Sequence, residues 1–220
     1  MASLTVENYL KTIWQICAAE AGKPAATGVV AESLGVSPGT VTSMLKTLGE
    51  TGLATYTPYE GVRLTPQGTQ LALRVMRRHR LIELFLSTTL KMTWDEVHEE
   101  AEHMEHAVSD LLIDRIDAFL GYPKSDPHGD PIPQADGTLD EPAGRSLAEC
   151  GTGEKFRFSR VLDQSPDFLR FLTESNLTIG AHGEVKANRV ESGALTVIVD
   201  GQTTTLGRDA AQKILVANVE

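Results

Sequence analysis

Ten consecutive residues, Val97-His98-Glu99-Glu100-Ala101-Glu102-His103-Met104-Glu105-His106, include seven carboxylates or imidazoles. Oxygen and imidazole nitrogen at that density are ligands for a cation, and divalent metals accept both. At about 100° per residue, His98, Glu102, Glu105 and His106 share one quadrant of a helix. Val97, Met104, Val108 and Leu111 form an apolar stripe on the opposite side. A merely solvated face would interleave Lys or Arg at i,i+4, and none occurs from Trp94 to Ile113. A second segment, Met76-Arg77-Arg78-His79-Arg80-Leu81-Ile82-Glu83, sets His79 and Glu83 one helical turn apart. Two helices are thus expected to supply one or two metal sites.

Catalytic uses of such a wall fit poorly. Glu100 to His103 reads Glu-x-x-His, but a di-metal carboxylate bundle needs two such motifs and two further glutamates on separate helices. The His-Glu-x-x-His of a zinc hydrolase is broken, because His98-Glu99 is followed by Glu102. The chain is expected not to be an enzyme; a metal store without DNA binding is the other alternative. Cys17 and Cys150 lack C-x-x-C spacing and read as packing residues.

The elements that position these groups follow from the rest of the chain. Its 220 residues, 41% hydrophobic and 23% charged, suit a soluble globular protein. No apolar run approaches the roughly 18 residues of a membrane span, and no leader pattern opens the chain, so a cytoplasmic location without membrane contact is expected. The net charge of −10 is unevenly spread: +3 over residues 1 to 80, −11 over 81 to 140 and −2 over 141 to 220. The acid surrounds the ligand wall, and the first part remains basic enough to meet phosphates.

Val6, Leu10, Ile13, Trp14 and Cys17 recur at helical spacing, and Ala21-Gly22-Lys23-Pro24 breaks that helix. Thr27 to Leu34 forms a short helix ended by Gly35; then Ser37 caps, and Pro38 opens, a second one lined inside by Val41, Leu45 and Leu48. Gly52 to Thr65 alternates and turns as a hairpin. The layout is a winged helix-turn-helix. Thr27, Ser37, Pro38, Thr40, Ser43, Lys46 and Arg63 are its expected DNA contacts. Small hydroxyl side chains suit phosphates and thymine methyl groups, so specificity should lean on shape. A long helix should run from about Thr69 to Leu90, and another from Trp94 to about Leu120. A Pro/Gly/Asp-rich linker lasts to about Glu154. Strands over Lys155 to Val161, Thr178 to Val190, Ala194 to Val199 and Ile214 to Val219, with one helix at Ser165 to Thr173, make a small β module.

The winged helix-turn-helix, the two ligand segments and Gly129-Asp130-Pro131-Ile132-Pro133 together resemble the diphtheria toxin repressor family of metal-dependent transcriptional repressors, over essentially the whole chain. The resemblance implies a mainly α winged helix-turn-helix domain (1–72), a helical dimerisation and metal-binding domain (73–122), a linker (123–153) and a small all-β SH3-like barrel (154–220). It implies a primary site of Asn8, Glu102, Glu105 and His106, and an ancillary site of His79, Glu83 and His98 completed by Gln164 and Asp167. It also implies a homodimer on a palindromic operator in double-stranded DNA, with metal as corepressor and no small-molecule substrate. Iron-responsive members carry Met and Cys where this chain has Asn8 and Glu102. Hence Mn(II) is expected, Fe(II) is the alternative, and Co(II), Ni(II) or Zn(II) are expected to bind in vitro. Some manganese members have Glu where this chain has Lys11, which argues against a closely paired binuclear site. Mutual repulsion among Glu83, Glu102 and Glu105 is expected to loosen the metal-free protein.

Overall fold

The computed structural model describes residues 3–140 and 144–219, which divide into two compact units. The first unit comprises residues 1–79 with 105–107 and 133–138. Its first helix, α1 (Leu4–Ala19), starts where the Ser3 hydroxyl accepts from the Val6 amide. Helix α2 (Thr27–Leu34) ends at Gly35, whose φ of 64° is the left-handed conformation that a side chain would disfavour. Helix α3 (Pro38–Glu50) opens with the Ser37 side chain accepting from the Thr40 amide and with proline in the first turn. Leu10 and Ile13 of α1, Val30 of α2, and Val41, Leu45 and Leu48 of α3 are fully buried in one core. The wing is an antiparallel hairpin, β1 (Ala54–Thr57) and β2 (Gly61–Leu64), in register Tyr56 to Val62. Val62 also bridges to Ala25, which ties the wing to the approach to α2. Helix α4 (Pro66–Leu90) begins in this unit.

The second unit holds residues 80–104, 108–132 and 139–220. Here α5 (Val97–Met104) and α6 (Asp110–Phe119) stand where one continuous helix was expected. The break has a local cause: the Ser109 hydroxyl accepts from the Leu112 amide and restarts the helix with a new phase. Glu105 and His106 therefore lie beyond the last residue of α5, so the four-residue wall does not exist as one helix face. Leu111, expected on the buried stripe, is 68% exposed on α6. Leu81, Ile82 and Leu86 of α4, Val97 and Ala101 of α5, and Ile113 and Ile116 of α6 form the helical core.

The β module is a six-stranded antiparallel sheet in the order β3-β8-β4-β5-β6-β7. Its strands are β3 (Arg145–Ser146), β4 (Lys155–Val161), β5 (His182–Arg189), β6 (Ala194–Val199), β7 (Gln202–Gly207) and β8 (Ile214–Asn218). Helices α7 (Pro166–Glu174) and α8 (Arg208–Gln212) lie between strands, the first of them where one helix was expected. Phe156, Phe158, Leu169, Leu172, Val185, Val197, Ile214 and Val216 fill its core. No helix among the described residues is long and apolar enough to cross a membrane.

Candidate metal centres and the nucleic-acid face

In the first unit, α1 contributes Glu7, Asn8 and Lys11, α4 contributes Arg78 and His79, and the chain just after α5 contributes Glu105 and His106. The Glu105 side chain is completely buried. Its Oε2 is 2.6 Å from His79 Nδ1, and Lys11 Nζ donates to both its oxygens at 2.8 and 3.0 Å. Burial alone would raise the Glu105 carboxyl; the His79 hydrogen bond and the Lys11 ammonium outweigh it and hold the group below its ordinary range. The expected picture of bare, mutually repelling carboxylates therefore fails at Glu105.

His106 Nδ1 is 2.7 Å from Glu7 Oε2. A carboxylate accepts, so in the neutral ring the proton sits on Nδ1 and the lone pair on Nε2. A ring nitrogen oriented by a carboxylate on its far side is the usual arrangement of a metal-ligating histidine. Nε2 lies 3.1 Å from Glu105 Oε1, yet it is buried without a hydrogen-bond partner among the described residues. Two lone-pair atoms about 3 Å apart have the spacing of adjacent ligands on an ion with bonds of about 2.1 Å. Asn8 Oδ1 is likewise buried without a partner among the described residues. These two orphaned acceptors fit a cation. Glu7 was absent from the residues singled out in the sequence, although it precedes Asn8 and lies one turn before Lys11 on the same helix.

A second cluster lies wholly in the second unit. Glu83, Asp126 and His128 are all buried, with ligand atoms within 4.8 Å of one another. His128 Nε2 sits 2.7 Å from the Trp94 carbonyl oxygen and donates to it. Nδ1 consequently faces Glu83 Oε2 at 3.7 Å and Asp126 Oδ1 at 3.9 Å, distances too long for hydrogen bonds. Burial alone would lower the His128 pKa; the facing carboxylates reverse that and lift it to about 9. Burial, with Asp130 and Glu83 close by, pushes the Asp126 carboxyl far above the usual carboxylate range. In the free protein, protons supply the positive charge that this cluster demands. The loop is rigid: Asp126 Oδ1 accepts from the amides of His128 and Asp130 at 2.8 and 2.9 Å. Gly129, at φ 84°, presses so close that a Cβ would stand 2.1 Å from the Ser159 carbonyl oxygen.

Among the other expected ligands, His98 Nδ1 lies 3.3 Å from Glu83 Oε1, and its Nε2 is 3.9 Å from Glu102 Oε1. Gln164 donates to Asp130 at 2.9 Å. Asp167, at the start of α7, is almost fully exposed and pairs with Arg170 at 2.6 Å. Asp126 and His128, which face Glu83, were not among the residues expected from the sequence.

Also in the first unit, Ser37, Pro38, Thr40, Ser43 and Lys46 are exposed at the start and along the outer face of α3. Thr27 and Lys46 line a groove of about 480 Å³ with Thr42 of α3 and Tyr56, Pro58 and Tyr59 of the wing. Arg63 is elsewhere: its guanidinium donates to the Gly22 carbonyl oxygen, and it lines a recess with Trp14 and Cys17.

A winged helix-turn-helix in the same chain as buried, oxygen-rich candidate cation sites defines a class, the metal-responsive DNA-binding regulators. Family models agree along the chain. Residues 1–62 match the iron dependent repressor N-terminal DNA binding domain, residues 65–134 its metal binding and dimerisation domain, and residues 145–218 the FeoA domain. The chain belongs to the iron-dependent repressor family, that of the diphtheria toxin repressor. The iron-dependent repressor IdeR of Mycobacterium tuberculosis is 36% identical over 238 residues, spanning 98% of this chain and 97% of that protein. The diphtheria toxin repressor of Corynebacterium efficiens is 30% identical, spanning 98% of this chain and 96% of its own length. A solved manganese-dependent transcriptional repressor in complex with manganese is 41% identical, with a TM-score of 0.86 over 97% of this chain and 100% of that one. The chain is accordingly a divalent-metal-binding, dimerising, DNA-binding repressor with an SH3-like module, in a family of regulators and not of enzymes.

Proposed function

We propose that this chain represses metal-transport genes by binding palindromic operators when loaded with Mn(II). The observation that carries the metal assignment is the donor set around the orphaned atoms: Asn8 Oδ1, Glu105 Oε1 and His106 Nε2 offer oxygen and imidazole and no sulfur. Such ligands suit Mn(II), whereas thiolate and thioether favour later or softer ions. A second ion would take Glu83, Asp126 and His128. A divalent ion supplies positive charge that draws these donors together; the response belongs to the protein. Asn8 and Glu7 sit on α1, and α1 packs on α2 and on β2 through Leu10 and Ile13. Fixing α1 against His106 thus fixes the seat of the helix-turn-helix, which gives metal and DNA a coupling free energy.

Fluorescence anisotropy on an operator duplex tests this reading. Chelator should abolish binding and Mn(II) restore it, and Glu105→Ala or His106→Ala should mimic chelator. Undiminished binding in chelator would sink it. The alternative, an Fe(II)-dependent repressor of iron-uptake genes, draws support from the 36% identity to IdeR. Anaerobic titration separates the two: activation by Fe(II) at lower free concentration than Mn(II) would establish the alternative.

A further inference from the structure

The first centre already contains a cation. Lys11 reaches from α1 and places its ammonium 2.8 and 3.0 Å from the two oxygens of Glu105. Its side chain is 8% exposed and that of Glu105 is fully buried, so this is no solvated surface pair. The oxygens concerned are the useful ones: Oε1 is the atom 3.1 Å from His106 Nε2, and Oε2 is the atom that His79 meets. A carboxylate has about four lone-pair sites, so sharing is geometrically allowed, but charge opposes it. Glu7 is faced by Arg78 at 3.9 Å, and Glu105 by Lys11 at 2.8 Å. A divalent ion on the Glu105 oxygens would stand beside the Lys11 ammonium in a water-poor site, where like charges repel strongly.

We propose that Lys11 is a tethered competitor for the metal: its ammonium holds Glu105 in the metal-free protein and must leave when the centre loads, so it sets the metal concentration at which the repressor switches on. This rests on the reading of Glu105 and His106 as a metal centre. Two consequences follow from one residue. The competitor weakens metal binding, and the same ion pair stabilises the metal-free state, because removing it leaves Glu105 buried with less compensation. A purely structural lysine would yield only the second effect.

Full-length wild type, Lys11→Gln, Lys11→Arg and Glu105→Gln are titrated with Mn(II), reading free ion by its electron paramagnetic resonance signal and the metal-free melting temperature in parallel. The site that disappears in Glu105→Gln is the one followed. Lys11→Gln should bind Mn(II) there roughly tenfold more tightly, the size of effect seen when a group supporting a ligand is changed, while melting at lower temperature without metal. Lys11→Arg, which restores the charge, should fall back toward wild-type affinity. Unchanged or weaker binding in Lys11→Gln, with wild type still binding through Glu105, overturns the competitor and leaves the centre standing. Equal binding by wild type and Glu105→Gln removes the centre and the inference together. A measurement on the unaltered protein covers the case in which the variants do not fold: the lysine side-chain ¹⁵N spectrum should show one slowly exchanging ammonium in chelator that vanishes with Zn(II), and its persistence overturns the proposal.

Discussion

In the proposed metal centre Asn8 is the residue on which the choice of metal is most cleanly tested, because its carbonyl oxygen is buried with nothing among the described residues to bond. An orphaned buried acceptor costs stability unless a partner arrives. Asn8→Leu keeps the volume and removes the oxygen; Mn(II) affinity should drop about 10- to 100-fold, while the metal-free protein melts no lower. Asn8→Met puts a thioether in the same place and should tilt the ratio of Fe(II) to Mn(II) activation toward iron. Isothermal titration and anaerobic operator binding read the two effects, and an Asn8→Leu protein with wild-type affinity would take Asn8 out of the ligand set. The sequence made Glu105 and His106 legible because seven ligand-type residues crowd into ten. The partners of Glu7 and Lys11 stayed hidden because they are 99 and 94 residues away, and no local period encodes such pairings.

At the scale of elements, what the sequence revealed was periodicity and capping. Ser37, Pro38 and Gly35 announced the helix-turn-helix correctly, since each acts on its own backbone. Ser109 is the same kind of signal, but it sits inside an apolar pattern that runs through it, and the continuous period concealed the cap. Strand β7 was missed because Gln202-Thr203-Thr204-Thr205 carries no apolar alternation at the sheet edge. The loop with Asp126 and His128 read as a linker because Pro, Gly and Asp favour turns; the same residues build a hydrogen-bonded turn that buries two ligand-type side chains.

That loop makes a prediction with a definite sign. The His128 pKa rises from 6.5 to about 9 on folding, so its stabilising effect is complete below the ordinary value and is lost as pH climbs through the raised one. Asp126 shifts upward as well and acts in the same direction. His128 alone should cost the metal-free protein on the order of 3 kcal/mol as pH rises from about 6.5 to about 9, Asp126 adds to the fall at lower pH, and His128→Gln should flatten the slope. Mn(II) replaces the departing protons, so metal should stabilise more at high pH than at low. Urea melts in chelator and in Mn(II) across this range provide the check, and metal-free stability that rises with pH would contradict the assignment.

For the whole molecule, the decisive feature is α6, whose outer face exposes Leu111 at 68%, Leu112 at 47% and Phe119 at 70%. Large apolar side chains repeated along one helix in a region matching a dimerisation domain need a partner surface. Phe119 also meets Phe85 of α4 edge-on, with ring centroids 6.2 Å apart, so one residue serves both the fold of the chain and its outer face. On the proposed reading a twofold dimer would offer one α3 to each half-site of a palindrome, with the two half-sites about 34 Å apart, one turn of duplex. Leu111→Asp with Leu112→Asp places charge on that face without disturbing the buried side of α6, where Ile113 and Ile116 pack. The variant should elute as a monomer in light-scattering chromatography and still bind Mn(II) at Glu105. Its operator affinity should fall on the order of 100-fold or more, because the second half-site no longer binds intramolecularly. A variant that stays dimeric would move the interface off α6; one that turns monomeric yet holds the palindrome as tightly as wild type would show that symmetry of the operator is not what the protein reads.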